Sequence, residues 1–457
     1  MLKPQIIHAL QSIAGRAFVT TDTEDLVAYS YDATQQKSLP EVVVQPETTE
    51  QISEIMKLAN RELIPVVPRG AGTGMSGGSV PVHGGIVLSL ASMDRILEIN
   101  EKDMLAVVEP GVITGNFQRE VEAKGLFYPP DPASHDTSTI GGNVAECAGG
   151  LRAVKYGVTK DYILGLEVVL PTGEIIRTGA RTIKSVAGYD LTRLFTGSEG
   201  TLGIITKITL KLLPLPESIK TLSAFFPAVH SAATTVLQII ANRITPRAME
   251  LIDRTSLQAV GQYLQQDPAE GAAALLLVEV DGDAISVKRE ADTISAIMHT
   301  AGGFNIRFAE SGEEREQLWK TRRSISPALY LLKPKKVNED IVVPRSKIPD
   351  ILKEITEISE RYGLLIANFG HAGDGNIHTN IMIEEHETAK AESAVREIFA
   401  ATLRLGGSIS GEHGIGTAKA AYLPMELDAD TLGAMKRIKQ ALDPNGILNP
   451  GKIFLDQ

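Results

Sequence analysis

A glycine-rich stretch is the first place in the chain where residue types and spacing could do chemistry. It runs from Pro68 to Pro81, reads PRGAGTGMSGGSVP with five glycines, and follows the apolar run LIPVV at 63–67, which predicts a short buried strand. Glycine tolerates positive φ and lets backbone N–H groups approach a ligand, and successive N–H groups in one concavity bind anions. The pattern favours a phosphate or pyrophosphate site. For this loop taken alone, a glycine-rich turn without a ligand is an equally good explanation.

Two known nucleotide-binding motifs fit this loop poorly. Gly72, Gly74 and Gly77 spell G-x-G-x-x-G, but that fingerprint must open a helix whose N-terminus receives the pyrophosphate. Here the loop runs into Val80-Pro81 and then Gly84-Gly85, which oppose a helix. A P-loop would end in Gly-Lys-Ser/Thr, and this loop does not. We therefore expect neither a Rossmann nor a P-loop site.

A second centre is predicted around two histidines. The segment NFGHAGDGNIHTN carries His371 and His378, and the Gly, Asp and Asn residues at 372–376 should turn the chain. A hairpin would place both imidazoles on adjacent strands, where they could share a divalent ion such as Zn, Fe or Mn.

A third histidine follows a carboxylate further along the chain. Glu412 and His413 lie in the glycine-rich segment GSISGEHGIG at 407–416. Two histidines and one carboxylate make a catalytic metal site with open positions for a substrate. The spacing alone fits two unrelated surface turns at least as well.

Composition limits the class of protein. A chain of 457 residues predicts two or three domains, and its mean hydropathy of +0.01 is typical of a globular protein. The net charge of −11 argues against nucleic acid or an anionic membrane as the main partner. Without a long apolar run or a signal peptide, we expect a cytoplasmic protein with no transmembrane segment. The single cysteine, Cys147, excludes an internal disulfide or a cysteine-held iron–sulfur cluster and is expected to be a buried, inert thiol.

The predicted secondary structure that must position these residues changes in type along the chain. A helix from Thr48 to about Asn60 and several short strands surround the first loop, and Ser138–Gly150 repeats its small residues without a predicted helix. After Pro214–Glu217, strands alternate with long amphipathic helices, which indicates an α+β domain. Those helices are predicted at 232–242, 284–299, 313–331 and 346–362.

Taken together, these stretches resemble one family over nearly the whole chain. The matching stretches are 68–81, 129–134, 138–157, 196–205, 371–380, 408–416 and 443–452. They are similar, in the same order, to the FAD-dependent D-2-hydroxyacid dehydrogenases of the vanillyl-alcohol oxidase/p-cresol methylhydroxylase superfamily. That group includes glycolate oxidase flavin subunits, D-lactate dehydrogenases and D-2-hydroxyglutarate dehydrogenases.

The resemblance implies an α+β fold with a bipartite FAD-binding domain that is not a Rossmann fold. It implies an N-terminal lead-in at 1–35, the FAD-binding domain at 36–215, an α+β cap domain at 216–405, and a C-terminal segment at 406–457 that returns to the flavin. Since some superfamily members attach FAD to a histidine just after the first glycines and Thr73 stands there, non-covalent FAD is expected.

The resemblance also assigns site residues by position. The implied FAD contacts are Arg69, Gly70, Ala71, Gly72, Thr73, Ser76, Gly77, Gly78, Pro132, Ser134, Thr139, Gly142, Asn143, Ala148, Gly149, Glu199, Gly203, Ile204 and Asn449. His371, His378 and Glu412 match the family's metal ligands, His413 its catalytic base, and Arg322 the arginine that grips the substrate carboxylate. Lys336 and Asn338 align equally well with a second substrate contact, so neither is assigned.

The implied reaction is oxidation of a D-2-hydroxy acid, such as D-lactate or glycolate, to the 2-oxo acid, with the Cα hydride passing to flavin N5. Electrons would leave to an electron-transfer flavoprotein, a cytochrome, a quinone-linked subunit, an iron–sulfur subunit or O₂. Such a partner could attach the protein peripherally to a membrane, and a homodimer is compatible with the resemblance. The alternatives are an ether-lipid synthase of the same superfamily and a non-catalytic flavin subunit of a larger complex. The side chain of the substrate, the metal and the acceptor stay open.

Overall fold

The chain folds into two compact units. The computed structural model describes residues 2–265 and 269–455, so residues 1, 456 and 457 of the predicted terminal segments lie outside the described residues. The first unit comprises the described parts of Met1–Gly149, Val158–Leu215 and Glu412–Gln457, and the second comprises Gly150–Gly157 and the described parts of Pro216–Gly411. The finer boundaries at 35/36 and 405/406 stay predictions.

A small sheet carries the glycine-rich loop of the first unit. Its strand order is β1-β2-β4-β3, and β4 pairs in parallel with both β2 and β3. Its strands are β1 (Val19–Thr20), β2 (Val42–Val44), β3 (Val66–Arg69) and β4 (Ile86–Ser89). The chain passes from β3 to β4 through the loop at 70–85 without forming a helix, which confirms that this is not a Rossmann unit.

A second sheet of the first unit is antiparallel, with strand order β5-β6-β10-β8-β9. Its strands are β5 (Ile96–Asn100), β6 (Leu105–Val108), β8 (Ile163–Val169), β9 (Ile175–Gly179) and β10 (Ile204–Lys211), and a separate pair is formed by β7 (Leu126–Phe127) and β11 (Leu213–Pro214). The core between these elements includes Leu10, Ile55, Val66, Leu88 and Leu448, all buried.

The helices of the first unit include four whose first turn is capped by a side chain. Numbered along the whole chain, they are α1 (Pro4–Ala14), α2 (Thr23–Ala28), α3 (Thr49–Glu62), α4 (Thr114–Glu122), α5 (Ile140–Glu146), α7 (Leu191–Phe195), α15 (Leu423–Glu426) and α16 (Ala429–Leu442), with 3-10 turns at Arg16–Phe18 and Thr159–Asp161. Thr48 caps α3 by accepting from the N–H of Gln51 at 3.2 Å, which confirms the predicted helix start.

Helix α5 was not predicted from the sequence. Thr139 caps it by accepting from Gly142 N at 3.2 Å. The glycines of α5 obscure the helical pattern in the sequence. Close packing explains them, because a Cβ on Gly141 would lie 2.4 Å from the Cβ of Pro110.

The second unit is a seven-stranded antiparallel sheet with helices packed on it, with strand order β15-β12-β14-β13-β17-β18-β16. Its strands are β12 (Ser218–Phe226), β13 (Ala248–Asp253), β14 (Ala274–Gly282), β15 (Phe304–Phe308), β16 (Lys335–Val342), β17 (Leu365–His371) and β18 (Asn376–Ile383). Its helices are α6 (Ala153–Tyr156), α8 (Val229–Ala241), α9 (Arg254–Leu264), α10 (Ala284–Thr300), α11 (Gly312–Arg323), α12 (Ile325–Ala328), α13 (Ile348–Tyr362) and α14 (Thr388–Arg404), with 3-10 turns at Leu329–Leu331, Arg345–Lys347 and Glu385–Glu387. The strands and helices confirm the predicted α+β class.

One predicted helix is wrong in its continuity. The stretch 313–331 is split into α11, α12 and a 3-10 turn, with Ser324 at the break. Pro327 explains the break, because it has no N–H to donate to the carbonyl of Arg323. Among the described residues, no helix is both long enough and apolar enough to span a membrane.

Candidate functional site

The glycine-rich loop forms one wall of a cleft in the first unit. A Cβ on Gly70 would lie 2.3 Å from Thr139 Oγ1, and one on Gly72, whose φ is +71°, would lie 2.1 Å from Arg69 Nη2. A larger residue at either position would displace these side chains, so glycine suits both and main-chain atoms form the wall. Arg69 braces the loop by donating from Nη1 to Ser79 Oγ at 3.2 Å. A wall of backbone amides suits a pyrophosphate, as the sequence predicts.

The opposite wall comes from α5 and the segments that flank it. Asn143, on the first turns of α5, is buried and donates from Nδ2 to Thr114 Oγ1 at 2.8 Å. Glu146 lies at the end of α5 and also lines the cleft. Glu146 was not predicted as a site residue, although its position as a lone carboxylate in the small-residue run AECAGG could have indicated it.

Most of the predicted cofactor residues line this one cleft. Those that do are Arg69, Gly70, Ala71, Gly72, Thr73, Gly78, Pro132, Ser134, Thr139, Gly142, Asn143, Ala148, Gly149, Glu199, Gly203 and Ile204. Glu412 and His413 line it as well, with His413 Nε2 lying 4.0 Å from Glu412 Oε1.

Three predicted cofactor residues lie behind the wall. Ser76 Oγ accepts from Gly78 N at 3.3 Å, and Asn449 Nδ2 donates to the carbonyl oxygens of Gly78 at 2.9 Å and Glu199 at 2.7 Å. Gly77 has a φ of +80°, and a Cβ there would lie 2.1 Å from Thr417 Oγ1. These contacts hold the loop in shape.

The two histidines of the second centre lie on the predicted hairpin in the second unit. Strands β17 and β18 pair antiparallel, with Phe369 opposite His378 and His371 opposite Asn376. The two imidazole rings are 5.1 Å apart and nearly perpendicular, both side chains are buried, and each offers a ring nitrogen within 4.8 Å of the other's. The hairpin prediction is confirmed. This spacing fits two nitrogen ligands to one ion.

Glu250 fixes one of these imidazoles. This fully buried carboxylate on β13 lies with Oε1 2.6 Å from Nδ1 of His371. A carboxylate on one ring nitrogen of a histidine is also found in the carboxylate–histidine–metal arrangement of many protein metal sites.

Glu250 also holds the predicted substrate arginine. Arg322 donates from Nε to Glu250 Oε2 at 2.5 Å, and its guanidinium lies 4.5 Å from the centre of the Phe369 ring. Burial acts to raise the pKa of Glu250, but His371 and Arg322 outweigh it and lower the pKa to about 2. Glu250 was not predicted from the sequence. Its one signal was a lone charge inside the apolar run AMELI, where burial is costly without a partner.

Comparison with known proteins places both units in one family. Residues 40–179 match the FAD binding domain family, and residues 215–453 match the family of FAD linked oxidases, C-terminal domain. The glycolate oxidase subunit GlcD of Bacillus subtilis is 46% identical over 458 residues, covering 99% of this chain and 97% of the relative. A D-lactate dehydrogenase of Anaerostipes hadrus is 35% identical, covering 98% of this chain and 97% of the relative.

The fold is similar to that of a solved flavoprotein. A crystal structure of p-cresol methylhydroxylase with substrate bound matches 99% of this chain and 96% of its own, with a TM-score of 0.83 at 20% sequence identity. The backbone-lined cleft fits the FAD that the family binds. The chain belongs to the FAD-linked oxidases, and it is an oxidoreductase with a FAD-binding domain of the p-cresol methylhydroxylase type.

Proposed function

We propose that this enzyme oxidises a D-2-hydroxy acid, D-lactate or glycolate first among them, to the 2-oxo acid. The observation that carries the proposal is that His371 and Arg322 both contact Glu250, which puts a guanidinium beside a pair of imidazoles. A 2-hydroxy acid offers a carboxylate and a neighbouring hydroxyl, which are the groups that such a pair would bind. The names of the two relatives above agree with this substrate class.

Arg322 would bind the substrate carboxylate. Its Nε is committed to Glu250, which fixes the plane of the guanidinium and leaves the two Nη groups to form a bidentate contact.

His371, His378 and Glu412 would hold a divalent ion such as Zn, Fe or Mn. The ring nitrogens suit these metals better than Ca or Mg. Glu412 directly follows Gly411, whose N–H donates to Asp340 Oδ2 at 2.9 Å, and Asp340 is the strand partner of His378. When bound, such an ion would lower the pKa of a hydroxyl group that it contacts.

His413 would act as the base. In its neutral form it would accept the hydroxyl proton, while the Cα–H bond breaks and the carbonyl of the 2-oxo acid forms. FAD held in the cleft would supply the redox chemistry, as the acceptor of the hydride from Cα. We propose the cleft residues named above as the FAD contacts, and a separate acceptor protein, cytochrome or quinone as the destination of the electrons.

Stopped-flow measurement of flavin reduction without O₂ tests the proposal. D-lactate and glycolate should reduce the bound FAD, and L-lactate should do so at least about 100-fold more slowly, since misplacing the reacting atom costs roughly that much. His413→Gln should abolish reduction while FAD stays bound, whereas the exposed His386→Gln serves as the matched control. Failure of every D-2-hydroxy acid to reduce the flavin would favour a non-catalytic flavin subunit, and a normal rate in verified metal-free protein would refute the metal site.

A further inference from the structure

Glu199 is fixed in the first unit by both of its backbone groups. It lies in the turn after α7 with a left-handed φ of +52°, and only 6% of the residue is exposed. Its N–H donates to the carbonyl of Ala145 at 2.8 Å, and its own carbonyl accepts from Asn449 Nδ2 at 2.7 Å. These two hydrogen bonds hold the main chain from which the carboxylate side chain extends.

Both oxygens of this carboxylate accept from neighbouring amides of one segment. The N–H of Ile415 donates to Oε1 at 2.8 Å, and the N–H of Gly416 donates to Oε2 at 2.6 Å. Hydrogen bonds to an ionised acceptor are roughly twice as strong as neutral ones. The same segment is tied on its far side, where the N–H of Thr417 donates to the carbonyl of Ser76 at 2.9 Å. We call residues 412–416 the anchored segment.

The anchored segment lies close against these carboxylates. Gly414 has a φ of +83°, and a Cβ there would lie 2.4 Å from Glu146 Oε2 and 3.1 Å from Glu199 Oε1. Gly416 has a φ of +48°, and a Cβ there would lie 2.1 Å from the carbonyl oxygen of Ser76. Bare backbone therefore packs directly on the side chains that hold it.

The surroundings of Glu199 favour its ionisation over that of the neighbouring Glu146. Burial raises the pKa of Glu199 overall, although the amides of Ile415 and Gly416 and the buried Lys452 and Lys419 oppose the rise. Burial raises the pKa of Glu146 more strongly, and the neighbouring Glu199 raises it further. Two close buried carboxylates do not both ionise readily, and Glu199 is the one of the two that faces amides and lysines.

We propose that Glu199 is a positioning residue, whose carboxylate holds the anchored segment so that Glu412 and His413 keep their places in the cleft. The roles of Glu412 and His413 rest on the proposed function, whereas the way they are held rests on the hydrogen bonds alone. Glu199 lines the cleft, but both of its carboxylate oxygens are committed to the protein's own amides.

The variant Glu199→Gln tests this role. It keeps the side-chain volume but replaces one acceptor by an amide NH₂ that faces a backbone N–H. Hydrogen–deuterium exchange at the amides of Ile415 and Gly416 should accelerate when variant and wild type are compared at equal FAD content. Metal affinity and the rate of flavin reduction by D-lactate should each fall by about 10- to 100-fold, as for other residues that orient metal ligands.

Glu167→Gln is the matched control. Glu167 is in the same unit, is also 6% exposed, and accepts from Thr49, Arg177 and Lys207 on other elements. It should lower thermal stability without changing exchange in the anchored segment or the rate of flavin reduction. Glu199→Asp, which keeps two acceptors, should lie between wild type and Glu199→Gln, and excess metal should restore part of the rate in Glu199→Gln.

Each outcome decides one question. Unchanged exchange in the anchored segment of Glu199→Gln overturns the inference. Faster exchange with a normal rate of flavin reduction also overturns it, provided that His413→Gln slows that reduction. If His413→Gln leaves the rate unchanged as well, the base assignment of the proposed function fails, and the exchange result alone decides whether Glu199 holds the segment.

Discussion

One carboxylate, Glu250, orients two side chains of the second centre. It contacts His371 through Oε1 and Arg322 through Oε2, and all three side chains are buried. Removing one partner of a buried ionic group leaves the others without compensation, which is more costly than losing an exposed pair.

We expect Glu250→Gln to lower the free energy of unfolding by about 3–5 kcal/mol, since a buried arginine loses its counter-charge. The amide also cannot orient His371 as the carboxylate does, so the affinity for the divalent ion should fall by about 10- to 100-fold. Chemical denaturation and metal titration measure the two effects.

Glu279→Gln separates general loss of stability from damage to the site. Glu279 is buried in the same unit and accepts from Arg315 and Trp319. It should be destabilised in the same way but keep normal metal affinity. Equal metal affinity in Glu250→Gln and Glu279→Gln would remove Glu250 from the site.

A half-buried lysine gives a pH-dependent prediction. Burial lowers the pKa of Lys336 to about 8, and its Nζ donates to Ser326 Oγ at 2.6 Å. Below that pH, the folded and unfolded states are both protonated and the cost of burying the charge is fully present. As the pH rises from about 8 towards 10.5, the folded state has lost a proton that the unfolded state keeps, so stability rises.

Lys336→Met should therefore be more stable than wild type at pH 7, by about 1–2 kcal/mol after allowing for the lost hydrogen bond. The difference should shrink between pH 8 and pH 10.5, as measured by urea unfolding across that range. A difference that is independent of pH would show that the pKa of Lys336 is the same in the folded and unfolded states.

At the scale of the element, the turn between β17 and β18 sets the spacing of the two histidines. Gly375 in this turn has a φ of +93°, and a Cβ there would lie 2.0 Å from the carbonyl oxygen of Val343. Gly375→Ala should cost more than about 2 kcal/mol, because a left-handed alanine alone costs roughly 1–2 kcal/mol. Metal affinity should fall with it.

Gly363→Ala is the control for that turn. Gly363 caps α13 with a φ of +58°, but no atom lies within 4 Å of a Cβ built there. It should show only the conformational cost of about 1 kcal/mol. Comparable losses in thermal melts of the two variants would mean that the contact with Val343 is unimportant.

The sequence predicted those parts of the fold whose cause is local. Thr48 starts α3, and the Gly, Asp and Asn residues at 372–376 turn the hairpin, because caps and turns depend on neighbouring residues. Helix α5 was missed because the reason for its glycines is Pro110, which lies on another element.

The candidate site shows the same division. Glycine loops and histidines have recognisable local patterns. Glu250 has no such local pattern, because its partners Arg322 and His371 lie 72 and 121 residues away in the chain. Only folding brings them together.

At the scale of the whole molecule, FAD should stabilise the unit that binds it. A ligand that binds only the folded state at 100 times its Kd adds about 2.7 kcal/mol. For a unit of this size, that should raise Tm by roughly 5–10 °C. Riboflavin, which lacks the pyrophosphate that the glycine-rich loop would bind, should raise it much less, as differential scanning fluorimetry of the apoprotein would show.

The link between protein and flavin can be checked on the same sample. Acid precipitation should leave the flavin in the supernatant, because Thr73 offers no histidine for attachment. Flavin that stays with the precipitated protein would contradict the non-covalent assignment.

The route of the chain bears on how the protein is made. Strand β3 is an edge strand whose free side is filled from the far end of the chain: the N–H of Val66 donates to the carbonyl of Ile447 at 2.8 Å, and the N–H of Asn449 donates to the carbonyl of Val66 at 2.7 Å. During translation, the backbone donors and acceptors on this edge of β3 stay exposed until residues 447–449 emerge from the ribosome. Such late, long-range closure slows folding and favours aggregation. Newly made chains should therefore depend on chaperones until residues 447–449 have emerged.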